Sequence, residues 1–478
     1  MLNNAFQGLP ISEVVPDAIA GMQEGLSKSS LLVSRRKIRF QPQTGTSAAP
    51  GSIVQFVLAD SSSLLDVNSA TLSFTVTTTG TNSATAPSAL DDGPSVLRRL
   101  QVSLNGNLVS DVDHCHRLCN MEVYASADKS WYQSAAGGFA GFWKFNPDMA
   151  TGVYPTTALG IGSAGNYNPA YGDVQGDGGA ANTAGGIWTS AGVRTAAGEA
   201  RLVPLSLLDG FWRTKQYVPL NLLGELVISF TLASNEEAFF NETIENATYT
   251  LSDIFMECDV VQPHYALNEI MMKQANSEGE NGIVIPYESA IVSQGQSITS
   301  GTSSVIISRA TNNLRRLLYA HQLTTGLSTQ LWPSVSCFGF NATTNWQVRC
   351  GSLYFPSQPA TTAARMYGLL ASAYGDAVND KPGIMNRLTY TATTALNGSG
   401  PATKLAYSDN FIVGYCFDAY KNTAGTNVLD ADGLSVLGQA GSQVVVQVTQ
   451  TGSVTPVVSL HATRYLSLMN GTLKIVGV

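Results

Sequence analysis

What most constrains this chain is the recurrence of short β-branched or alternating segments, each closed off by Gly, Asn, Ser or Pro. Ile53-Val-Gln-Phe-Val-Leu58, Thr71-Leu-Ser-Phe-Thr-Val76, Leu226-Val-Ile-Ser-Phe-Thr-Leu232, Ser304-Val-Ile-Ile-Ser308 and Gln443-Val-Val-Val-Gln-Val448 are the clearest. A period of two gives a strand one face for a core and one for solvent. Helical patterns are few: residues 11–26, a stretch near 113–126, and the Ala-rich 360–375. Many strands with occasional helices predict an all-β chain of sandwiches or barrels rather than alternating βα units.

The chain has 478 residues, of which only 13% are charged and 44% are hydrophobic. Soluble domains usually carry roughly 25% charge, so this sequence has much to bury and little surface charge. A net charge of −8 argues against a protein that neutralises phosphate, which needs a surplus of Lys and Arg. No direct, sequence-specific nucleic-acid partner is expected. The six cysteines (115, 119, 258, 337, 350 and 416) have no repeated spacing and read as reduced thiols. The first 21 residues lack the basic and apolar regions of a secretory signal. No run reaches the roughly 18 apolar residues of a membrane span, so a soluble protein of a reducing compartment is expected.

Residues 134–200 hold 15 Gly, six charged residues and eight aromatics, including Phe139, Phe142, Trp143, Phe145, Tyr154 and Trp188. That mixture predicts a long ordered insertion on one loop. At 262–282 the sequence turns polar between two β-rich halves. The expected organisation is an N-terminal arm over 1–33, a β unit over 34–265, a linker over 266–282 and a second β unit over 283–478. Leu97-Arg-Arg-Leu100 recurs as Leu314-Arg-Arg-Leu317 and reads as a faint internal repeat. In the arm, Ile11, Val14, Val15, Ala18, Ile19, Met22 and Leu26 form a helical stripe, and Pro16 with Asp17 suits a first turn. A short amphipathic helix over 11–26 is expected.

Chemical motifs are sparse. Gly160-Ile-Gly162-Ser-Ala-Gly165 matches a nucleotide-binding pattern but lacks the strand before it and the helix after it. Asp113-His-Cys-His-Arg-Leu-Cys119 gathers metal-ligand types, yet neither helix nor strand geometry aims His114, Cys115, His116 and Cys119 at one point. A packed helix start with buried thiols is expected, with no metal. Asp430-Ala-Asp432-Gly433, and Asp173 with Asp177-Gly178, lack the further carboxylates of a calcium loop and read as turns. No G-x-S-x-G or H-E-x-x-H occurs, so no catalytic constellation, cofactor or enzymatic activity is expected. Arg35-Arg36-Lys37, Arg98-Arg99 and Arg315-Arg316 read as interface or intra-chain pairing charges.

The ordered set of segments resembles the double jelly-roll major capsid proteins of tailless icosahedral DNA viruses, of the virophage and polinton-like type. The resemblance runs through Arg36-Lys-Ile-Arg-Phe-Gln-Pro-Gln43, Gly51-Ser-Ile-Val-Gln-Phe56 and Ser63–Phe74. It continues through Pro94–Gly106, then Val109–Leu118, and through Pro204–Phe211, Lys215–Leu220 and Gly224–Leu232. Val348–Pro359, followed by an Ala-rich helix with Tyr367, is similar to that family's second jelly roll. These are fold markers, not active-site motifs.

The resemblance implies two tandem eight-stranded jelly-roll barrels, with a long loop insertion in the first. It also implies a homotrimeric, pseudo-hexameric capsomer that tiles an icosahedral shell. Implied partners are neighbouring capsomers, penton and minor or cement proteins, and an internal membrane where the virus has one. The implied location is the virion, after assembly inside the host cell. Two alternatives remain. A single-jelly-roll RNA virus capsid protein would usually carry a basic arm, which this N-terminus lacks. A carbohydrate-binding β-sandwich would be a monomer or small oligomer with a polar cleft.

Overall fold

The computed structural model describes residues 32–60, 62–79, 88–132, 134–142, 199–241, 246–276, 282–307, 311, 313–330, 334–374, 385, 390–391, 410–417, 434–435 and 443–476. The arm helix expected at 11–26, the glycine motif at 160–165, the Asp173 and Asp430 turns, and most of the 134–200 insertion lie outside these residues.

The chain before residue 264 supplies β1 (Leu32–Phe40), β2 (Ile53–Leu58), β3 (Leu64–Thr79), β4 (Ser88–Leu90), β5 (Leu97–Leu104) and β6 (Asn107–Val112). After helix α1 (Cys115–Ser126) come β7 (Glu199–Pro204), β8 (Val218–Pro219), β9 (Leu226–Leu232), β10 (Phe239–Asn241) and β11 (Thr248–Pro263). Helix α2 (Tyr265–Ala275) leads to β12 (Ile283–Gln294), β13 (Gly301–Ile307), β14 (Leu314–Leu323), β15 (Asn345–Cys350) and β16 (Leu353–Ala360). Helix α3 (Ala363–Tyr374) precedes β17 (Ile412–Cys416), β18 (Val444–Gln450), β19 (Val454–Met469) and β20 (Thr472–Val476).

These strands form two pairs of antiparallel sheets with one wiring. The first pair runs β1-β11-β3-β7 and β2-β9-β5-β6; the second runs β12-β19-β14-β17 and β13-β18-β15-β16. In each half the first strand lies beside the last long strand and the second beside the one before it. This nesting defines a jelly roll. The eight main strands of each half form two separate sheets rather than one closed barrel, and among the described residues no sheet mixes strands from the two sides of α2.

Sequence alternation explains the layering. In β9, Leu226, Ile228, Phe230 and Leu232 are buried and the residues between them are half-buried. Phe230 meets Phe56 of the neighbouring β2 edge to face, with ring centroids 6.1 Å apart. Side chains from all four main sheets belong to one contiguous apolar core.

The Leu-Arg-Arg-Leu echo is not a repeat of position. Leu97 opens β5 of the second sheet type, whereas Leu314 opens β14 of the first type. Both copies instead start a strand with the same irregularity, a register shift between Leu97 and Arg99 and between Leu314 and Arg316. A bulge puts two residues opposite one, so leucines three apart can both be buried. The polar stretch expected to be a plain linker contains α2, whose Leu267, Met271 and Ala275 are buried.

Phe230→Ala removes a fully buried ring from the middle of β9 and is expected to cost about 3–5 kcal/mol of stability. A denaturant midpoint unchanged from wild type would contradict this packing.

Candidate functional site

Several of the most deeply buried polar groups converge on α1. Ten of its residues, Cys115 to Tyr124, are buried, although the helix includes His116, Arg117, Asn120 and Glu122. A helix buried on every side needs a partner for each polar group. Here the partners come from both halves of the chain.

Glu122 receives Arg213, from the turn after β7, in a two-pronged contact, and Arg316 of β14 at 3.3 Å. Arg316 also donates to Glu288 of β12 at 2.9 Å. The Glu288 carboxylate meets His461 Nδ1 at 2.7 Å, and His461 Nε2 lies 2.6 Å from Ser459 Oγ. Burial pushes both carboxyls up. Arg213, His461 and Arg316 more than offset it at Glu122, and Arg316 and His461 do so at Glu288, so both groups are held below the usual range. Burial, reinforced by Arg316, holds His461 below its usual value.

A second cluster lies at the start of α1. His114 adopts a left-handed conformation (φ 52°) at the N-cap, which stacks its ring on His116 with centroids 5.9 Å apart. Arg117 donates to His114 Nδ1 at 2.9 Å, to Gln294 of β12 at 2.9 Å and to Glu237 at 3.3 Å. A third cluster surrounds Asp91 and Asp92. Asp91 accepts the backbone N–H of Val335 and Ser336 and the Ser336 hydroxyl. Asp92 accepts the hydroxyls of Tyr124 at 2.5 Å and Tyr132 at 2.8 Å.

Cys115 and Cys119 are buried, and burial pushes both thiols up, so neither is a ready thiolate ligand. The two imidazoles instead meet Glu237, more than a hundred residues downstream. His114, His116 and Glu237 form one group of metal-ligand atoms within 4.8 Å, and Glu122, Glu288 and His461 form another. In each, a guanidinium already contacts the same atoms, Arg117 in the first and Arg316 in the second. The chain supplies its own cation at both places.

Ser459, His461 and Glu288 have the hydrogen-bond order of a nucleophile, base and acid. No sequence motif marked them, because they come from two strands. Ser459 is fully buried and His461 nearly so. The described cavity, about 630 Å³ lined by Phe340, Ala363, Ala364, Tyr367, Met385, Tyr390 and Thr391, does not include them. This chain of hydrogen bonds reaches α1 through His461 Nδ1, 3.6 Å from Glu122.

The basic clusters pair within the chain. Arg99 grips Asp111 with two hydrogen bonds of 2.8 and 2.7 Å, Arg98 lies 3.6 Å from Asp113, and Arg35 bridges Asp66 and Asp259.

Among solved structures, the chain is similar to PBCV-1 VP54 fitted into a reconstruction of the virophage Sputnik. The TM-score is 0.56 at 9% identity, covering 94% of this chain and 98% of that one. It is similar to a PBCV-1 virus capsid chain at 0.52 and 10% identity, covering 94% and 98%. It is also similar to a chain of the Sputnik virophage at 0.51 and 12% identity, covering 94% and 89%. No protein-family model matches the sequence, and no curated protein matches it. At these identities the shared property is the fold, a double jelly roll.

Two outcomes follow from the buried charges. Arg316→Met takes one cation from Glu122, leaving Arg213, and one from Glu288, leaving His461, and is expected to cost about 3–5 kcal/mol as the breaking of a buried pair; a loss under about 1 kcal/mol would show the cluster to be water-screened. Burial lowers His321 to about 4 and lowers His114 to about 3. Each imidazole is more acidic folded than unfolded, so its contribution is full above about pH 6.5 and is lost as pH falls toward 4. Asp209, raised by burial to about 6, acts oppositely and destabilises as pH rises through that value. Asp209→Asn should therefore gain on the order of 2–3 kcal/mol at pH 8 and nothing below pH about 4. Urea midpoints at both pH values check this.

Proposed function

We propose that this chain is a major capsid protein of a tailless icosahedral DNA virus, resident in the virion after assembly in the host cell. The observation that carries the reading is the pair of jelly rolls in tandem, which aligns over 94% of the chain with a PBCV-1 capsid chain. A fold alone does not fix a function. This one occurs here with no accessible constellation of catalytic groups among the described residues. The chemistry of the polar groups is spent on locking two jelly rolls together, which suits a structural role and not an enzymatic one.

On this reading residues 34–265 and 283–478 are the two jelly rolls. Three chains then present six similar upright units, and a homotrimer becomes a pseudo-hexameric tile. The partners are neighbouring capsomers, penton proteins and minor or cement proteins, above an internal membrane where the virus has one. Low charge density supports broad subunit contacts, since permanent interfaces often bury over about 2,000 Å² and are more apolar than ordinary surfaces. The net charge of −8 supports a shell that does not itself bind the genome. No metal or cofactor is assigned.

Sedimentation equilibrium is expected to give the mass of three 50.5 kDa chains, and negative-stain images should show six-lobed particles. A monomer at micromolar concentration would overturn the trimer. Protease cleavage within 277–281 should leave two fragments that co-elute at neutral pH, held by the α1 contacts. Fragments that separate without denaturant would contradict a locked pair.

A further inference from the structure

Beside α2 lies a small satellite core of Leu64, Val261, Leu267 and Met271, rimmed by the partly buried Leu32, Ile270 and Ile283. Its rim is surrounded by open apolar side chains. Val33, the residue after Leu32, is 60% exposed. On α2 itself, Tyr265 is 71% and Met272 is 47% exposed. Tyr265 and Met272 are seven residues apart, so they share the outward face of the helix. Single exposed apolar residues are ordinary, but a group around one small core marks a surface that something covers.

We propose that this surface is the docking site of the chain's own residues 11–26, folded as a helix with Ile11, Val14, Val15, Ala18, Ile19, Met22 and Leu26 against α2. The tether is the first support. Six steps of chain separate Leu26 from Leu32, and a fully extended chain spans at most about 3.5 Å per residue, so the stripe starts within roughly 20 Å of the rim. Leu32 itself belongs to that rim. A helix of this length is marginal alone in water. Tethering raises its local concentration to the millimolar range.

Charge selects the kind of surface. On a helix, Glu13, Asp17 and Glu24 fall on the side opposite the apolar stripe. Helices that lie on anionic membranes carry Lys and Arg on their polar face. This one would present carboxylates, so protein, not lipid, is the surface it fits. The inference does not depend on the capsid reading, since it concerns contacts within one chain.

Hydrogen exchange with mass spectrometry on the full-length protein tests it. Amides of 11–26 are expected to exchange at least tenfold more slowly than unfolded peptide. The double change Ile19→Glu with Met22→Glu should remove that protection and speed exchange in 265–275. Met272→Glu should reciprocally release 11–26. Unprotected 11–26 in the wild type would overturn the proposal. So would protection indifferent to Met272→Glu, which assigns the stripe to a second copy or another surface. Protection that appears only with phosphatidylglycerol vesicles would assign it to a membrane and equally overturn it.

Discussion

The arrangement depends on a single buried carboxylate, Glu122, set on a helix that belongs to one jelly roll and is enclosed by both. A carboxylate taken out of water costs several kcal/mol unless it is paired and hydrogen-bonded. Glu122 reaches Arg213 from its own half and Arg316 from the other. Arg316 in turn holds Glu288, and Glu288 holds His461. Separating the two halves breaks the Glu122–Arg316 contact and exposes the charges on both sides of it together. Apolar packing reinforces the lock. Phe211 meets Tyr287 edge to face at 5.5 Å, and a Cβ on Gly210 would sit 2.6 Å from the Glu288 carbonyl oxygen.

Much of the fold was legible, and the reason is local. Leu226–Leu232 alternates because one face of β9 enters a core and the other does not, and that alternation survives in any single strand. Helix α2 was missed because its sequence, YALNEIMMKQA, buries only three residues against a narrow satellite core. The α1 site was legible only in part. His114 and His116 stood out, but an ideal helix or strand would not bring them together. The left-handed turn at His114 does, and although His adopts that region more readily than most residues, its presence does not locate such a turn. Glu237, Glu288 and His461 carry no local signal because Arg117, His461 and Arg316, their respective partners, lie 120, 173 and 145 residues away. Long-range pairs of this sort are decided by topology.

The basic clusters show the same division. Arg98-Arg99 and Arg315-Arg316 were visible as charges next to apolar residues, and intra-chain pairing was one of their two readings. Their sequence likeness tempted a reading as homologous strands. The shared cause is a bulge at each strand start, which lets two leucines three residues apart face inward while Arg98, Arg99 and Arg316 between them reach acidic partners. Similar local mechanics therefore produced similar sequence in non-equivalent strands, and the true repeat is one of strand order.

The same seam explains how the chain carries a long excursion between Phe142 and Glu199. The described residues on either side are tied to each other and to the core before and after it. Gly93 donates its N–H to Gly141, Arg201 of β7 donates to the Gly138 carbonyl, and Phe142 packs against Trp131 and Tyr132. Tyr132 is in turn anchored on Asp92 at 2.8 Å, beside α1. With its two ends fixed, a segment adds closure entropy only logarithmically, about 0.6 kcal/mol for each doubling of length. The residues between 143 and 198 can therefore differ in length and composition at small cost to the body of the protein. The burden of stability stays on α1 and its buried ions.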